Sequence, residues 1–172
     1  IILNTHKALK FLIIIITAIS LCSGILNKIF PTYLNFPNLT SLLSIQITSF
    51  TDYKVWQFVT HMFISPADQG INIIYLINLF FSMMILFRMG QVIITRKGVK
   101  QFLLYFLTIG ISSGIAAYQT IIFFNSNTYY AGPGNVLYGL MIAFIFLFPN
   151  LDFSFLFTNS IKGKKFFPAL IG

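Results

Sequence analysis

The sequence predicts an all-α membrane protein, a polytopic bundle with about five transmembrane spans in a single domain, residues 1–172. Three observations carry that prediction. The chain is 57% apolar and only 8% charged, with a mean hydropathy of +0.86, whereas a soluble domain carries about 25% charged residues. Its apolar residues fall into long runs, each about the length a bilayer core requires. Its basic residues cluster beside those runs, as topology signals do. The net charge of +8 comes from 11 Lys/Arg against three Asp and no Glu. In that placement it points to lipid headgroups rather than to nucleic acid as a partner.

The first run, residues 11–27, follows Lys7 and Lys10 and stops at Lys28. It is longer than a signal-peptide core and continues past its small residues, so it reads as a retained helix. Residues 28–70 form a long external connection, rich in Pro and Asn at its start, with Leu42 to Phe50 as a short interfacial helix. The second span covers 71–88 and ends at Arg88, the third 101–123, the fourth 133–149, and a fifth opens at Phe166. The chain begins with isoleucine, so it is expected to be a piece of a longer protein.

Orientation follows from the bases. With the amino terminus cytoplasmic, Lys7, Lys10, Arg88, Arg96, Lys97, Lys100, Lys162, Lys164 and Lys165 all face the cytoplasm, and only Lys28 and Lys54 lie outside. The expected location is a bacterial cytoplasmic (inner) membrane.

Few residues can carry chemistry. Cys22 is alone, and the two histidines, His6 and His61, have no Cys or Glu partners, so no metal site and no cofactor is expected. His61 precedes the second span and reads as an interfacial polar residue. In GISSGIAA (110–117), Gly110 and Gly114 stand at the spacing that lets helices approach closely in lipid. Ser112 and Ser113 beside them are conceivable nucleophiles with no base in view. Asn72 and Asn78 fall inside the second span, where an unpaired amide is costly, so they should face the protein interior or a wet cavity.

Four segments, in order, resemble the rhomboid family of intramembrane serine proteases. WQFVTHMF (56–63), led by Trp56, is similar to the family's Trp-Arg/Gln-x-x-Thr segment in the first loop. Gly90, Arg96 and Gly98 match its Gly-x-x-x-Glu-x-Arg-x-Gly turn in spacing, although Ile94 replaces the glutamate. GPGNVLYGLMIAFIFLFPN (132–150) matches the Gly-x-Ser-Gly-x-x-Tyr/Phe-Gly opening of the fourth helix, and IKGKKFFPALIG (161–172) the basic stretch before the fifth. The resemblance implies a serine nucleophile at the fourth helix start, a histidine base on a sixth helix beyond residue 172, and an oxyanion site with second-helix His and Asn.

The departures bear on activity. Counting back from Tyr138 and Gly139 puts Gly134 at the nucleophile position, with Gly132 and Pro133 before it and Asn135 after it. Glycine cannot attack a carbonyl, and proline in that place resembles inactive rhomboids; it also removes a backbone N–H. Counting from Gly90 places Asn78 and Ser82 at the second-helix pair, while counting from Trp56 favours Asn72 and Leu76, because ISPADQG (64–70) lengthens the interval. GINIIYLIN (70–78) also resembles the second helix of derlins, relatives without protease chemistry. The expectation is a catalytically inactive rhomboid-like protein. It would have no catalytic residue and a vestigial cavity formed by Gly132, Pro133, Gly134, Asn135, Tyr138, Asn72, Asn78 and His61. Its partners would be the bilayer and the transmembrane helices of other membrane proteins. The alternatives are an active peptidase with an atypical site and a structural subunit of a larger membrane complex.

Overall fold

A computed structural model describes residues 2–29, 38–67, 70–125, 128–148, 152–153 and 161–162. Those residues are largely helical. Helices α1 (Ile2–Ile29), α2 (Leu39–Leu43) and α3 (Gln57–Thr60) are followed by a 3-10 turn (His61–Phe63), then α4 (Ile73–Lys97), α5 (Val99–Phe123) and α6 (Gly134–Leu147). Asp152–Phe153 and Ile161–Lys162 pair as a two-residue antiparallel ladder. Among the described residues three helices are long and apolar enough to cross a membrane: Lys7–Asn27 within α1, then α4 and α5. Helix is the form such isoleucine- and phenylalanine-rich runs must take in lipid, because it satisfies every backbone group internally. The chain is an integral membrane protein on these grounds.

Several boundaries differ from the sequence expectation. The second span does not end at Arg88; α4 continues to Lys97, since a long basic side chain at a helix end can reach the interface without stopping the helix. What stops it is Gly98, whose φ of 91° other residues rarely adopt, and α5 starts at the next residue. Gly90 therefore sits in the helix and not in a turn. A Cβ there would lie 2.6 Å from Leu9 Cδ1 and 3.2 Å from Phe102 Cε2, so its absence lets α1 and α5 close on α4. The run expected as a fourth span gives a helix of 14 residues, about 21 Å long and short of a bilayer core of about 30 Å. The short helix placed at 42–50 lies instead at Leu39–Leu43. The chain leaves it because Ile45 is drawn into an extended bridge with Tyr130, N to O at 2.9 and 2.8 Å. The fifth span from Phe166 lies outside the described residues.

The core runs between α1, α4, α5 and α6, where Leu9, Ile16, Leu86, Phe102, Phe106 and Leu140 are buried. The opposite faces expose large apolar side chains, including Phe11, Ile74, Phe80, Leu104 and Phe146. Exposure on that scale suits a lipid surface.

Candidate functional site: a cleft between α4 and α6

The first loop is fastened by the Trp-Gln-x-x-Thr segment. Helix α2 ends with free carbonyls, as every helix does. Trp56 Nε1 donates to the Leu42 carbonyl (3.3 Å), Gln57 Nε2 to those of Ser41 and Leu42 (both 3.1 Å), and Thr60 Oγ1 to that of Leu43 (2.9 Å). Gln57 is fully buried and also accepts from Ser49 Oγ. The motif is thus a cap for α2, with Gln57 at its centre. That role was not drawn from the sequence, though the residue lies within the segment singled out there.

His61 lies inside the fold rather than on its surface. It is fully buried, its ring 5.6 Å from that of Tyr130, with Nδ1 3.1 Å from the Gln57 carbonyl. Nε2 has no hydrogen-bond partner among the described residues. Burial holds the imidazole below its ordinary pKa, against the opposing pull of the Gln57 and Phe58 carbonyls. The ring fills the space beside Gly114: a Cβ there would meet His61 Cε1 at 2.8 Å and Ile45 Cδ1 at 3.0 Å. At Gly110 the occupant is Met62, with Cε 2.4 Å from such a Cβ. The small residues of α5 therefore seat side chains of the first loop rather than the backbone of another helix.

The His61 carbonyl also accepts from Gly132 N at 2.9 Å, which ties the loop to the entry of α6. Gly132 has φ of 125°, a conformation that requires glycine. Pro133 follows at the N-cap, where its missing N–H leaves no intrahelical bond unmade. A Cβ on Gly134 would meet nothing within 4 Å. At Gly139, one turn on, it would lie 2.3 Å from Ile109 Cγ2, so α6 packs on α5 through that glycine.

Gly134 opens onto a cleft of about 370 Å³ between α4 and α6. Asn78 and Ser82, one turn apart on α4, line one wall, while Gly132, Pro133, Gly134 and Tyr138 line the other. Ser65 and Tyr75 also border it. Tyr75 donates to the Ser20 carbonyl of α1 at 2.8 Å, and Ser20 Oγ accepts from Ser65 N at 3.0 Å, which fixes the loop exit against α1 and α4.

Of the eight expected cavity residues, five are brought together: Asn78, Gly132, Pro133, Gly134 and Tyr138. Three are not. Asn72 caps α4, its Oδ1 accepting from Tyr75 N at 2.7 Å. Asn135 turns its amide to the Tyr130 hydroxyl. His61 lies behind the cleft, in the loop layer. The register counted from Gly90 is the one that faces α6; Leu76, from the other count, does not line the cleft. Ser112 and Ser113 donate to the carbonyls of Ile109 (3.0 Å) and Gly110 (2.8 Å) of their own helix and do not line it either. Burial raises the pKa of Tyr130, and a hydrogen bond with Ser113 opposes the shift. No protein-family model, no curated protein and no solved structure matches this chain.

Proposed function

We propose that the chain is a catalytically inactive, rhomboid-like membrane protein that holds transmembrane helices of other proteins against the cleft between α4 and α6. The observation that carries this reading is the open space at Gly134. The position that corresponds to a rhomboid nucleophile borders a cleft, beside an amide and a hydroxyl on α4, and offers no attacking atom. Without a nucleophile the covalent route is absent, while a binding cleft can persist. The exposed apolar residues of α4, among them Ile74, Ile77 and Phe80, leave that helix free to meet a partner within the bilayer. The distribution of Lys and Arg supports a cytoplasmic amino terminus, and the membrane we propose is a bacterial inner membrane.

A photo-crosslinking residue at Asn78, in the full chain in its native membrane, tests the reading. Capture of a partner's transmembrane helix is the expected result. A serine-directed fluorophosphonate should leave the protein unlabelled; labelling that disappears in Ser112→Ala or Ser113→Ala would overturn the inactive assignment. Recovery of the same partners at a fixed ratio, with no capture from Asn78, would make the chain a structural subunit instead.

A further inference from the structure

Six cations gather at the end of the bundle away from the first loop. Lys7 and Lys10 stand three residues apart on α1, and therefore on one face. Arg88, Arg96 and Lys97 belong to the second half of α4, and Lys100 to the first turn of α5. All six are exposed. They lie toward one end of the bundle because Leu9 sits in the notch left by Gly90 and near Phe102, which brings the start of α1 beside the last turns of α4 and the first turns of α5. Arg96 also rests over the Phe148 ring, 5.4 Å from its centroid, so part of its environment is apolar.

Among the residues whose side chains are described, no carboxylate at this end neutralises them. The one carboxylate among those residues is Asp52, and it is held by Lys54 at 2.9 Å in the first loop. Six like charges repel one another unless anions are supplied from outside the chain. Their stems are long enough to lie along apolar helix surface while the charged heads reach the headgroup layer.

We propose that this end of the bundle is a binding surface for anionic phospholipid headgroups, whose phosphates are held by Lys7, Lys10, Arg88, Arg96, Lys97 and Lys100. The phosphodiester supplies the missing negative charge, and its acyl chains continue along the exposed apolar faces of α1 and α4. Lipid fits this position better than a free phosphate, because the same helices present both the cations and the apolar surface.

The test uses the full chain in neutral detergent micelles, with thermal unfolding followed as lipid is added. Phosphatidylglycerol should raise the midpoint, phosphatidylcholine should not, and added salt should reverse the gain. Lys7→Gln with Lys10→Gln and Lys100→Gln should weaken the apparent affinity for phosphatidylglycerol by on the order of a hundredfold. Lys54→Gln, in the first loop, should leave it unchanged. Equal shifts with the two lipids, or an unaltered response in the triple variant, would overturn the proposal. So would inorganic phosphate reproducing the phosphatidylglycerol shift, which would assign the surface to a free anion.

Discussion

The loop layer and the cleft are both built where apolar helices carry glycine, and they use it in opposite ways. At Gly114 the volume a side chain would take is already occupied by His61 and Ile45. At Gly134 it is empty. Around the first glycine, Gln57, Thr60 and Trp56 spend their donors on α2 carbonyls. Beside the second, Asn78 carries its amide on the exposed side of α4, with no hydrogen-bond partner among the described residues. The first region spends its donors on carbonyls of the same loop, and the second leaves its space and its amide open among the described residues.

The largest expected effect comes from breaking the complete region at its centre. Gln57→Leu removes every side-chain bond of this residue: the buried Ser49 Oγ loses its acceptor, while the Ser41 carbonyl keeps Gln46 Nε2 at 2.7 Å and the Leu42 carbonyl keeps Trp56 Nε1 at 3.3 Å. A buried hydroxyl deprived of its acceptor costs about 1–3 kcal/mol and the lost amide bonds add to it, so a loss of about 2–3 kcal/mol is expected in denaturant unfolding of the micelle-bound protein. Crosslinking from Asn78 should suffer only through that general loss.

Gly114→Ala comes next. Its methyl would lie 2.8 Å from the fully buried His61 ring, and overpacking of this kind costs about 1–3 kcal/mol. The same change at Gly110 meets the flexible end of Met62 and should cost less. If the two variants lose equal stability, the picture of His61 as a rigid plug fails.

These two regions were unequally legible in the sequence. The three long apolar helices were readable because such runs leave helix as the one solution in lipid, and Gly98 and Pro133 mark ends that follow from backbone chemistry alone. The position of Gly134 could be counted locally from Tyr138 and Gly139. Asn72 carried a cap signature ahead of an apolar run, yet the continuous hydropathy around it made it look like part of the span. The burial of His61 was not readable, because it depends on Gly114 and Tyr130, which approach it only when α5 and the later loop pack. The choice between Asn78 and Asn72 was likewise undetermined until the rotation of α4 against α6 was known.

Acidification probes the same plug more gently. Burial depresses the His61 pKa below its ordinary value of about 6.5, so the unfolded chain binds a proton more readily than the folded one. The stabilising difference is fully present above that value and is lost as pH falls toward the folded-state pKa. Unfolding monitored from pH 8 to 5 should show the midpoint decline once pH drops below about 6.5, and His61→Gln should flatten that part of the curve. Asp52, whose pKa is lowered by its hydrogen bonds from Lys54 and Thr48, acts at more acidic pH and leaves this window unobscured. A profile identical in the wild type and His61→Gln would mean that the imidazole is not confined as described.

The smallest effect belongs to the open region, and it is the sharpest check on the contrast. Gly134 has neither a positive φ nor a neighbour that a Cβ would strike, so nothing local demands glycine. Gly134→Ala should be neutral or stabilising by about 0.5 kcal/mol, through the reduced freedom of the unfolded chain. Gly134→Ser should fold equally well and remain unlabelled by a fluorophosphonate, because no histidine among the described residues lines the cleft to activate the hydroxyl. Gly134→Trp should also fold, yet fill the space beside Asn78 and abolish crosslinking from that position. A Gly134→Ala variant as damaged as Gly114→Ala would instead mean that the cleft is closed in the working protein, and the difference between the two glycines would vanish.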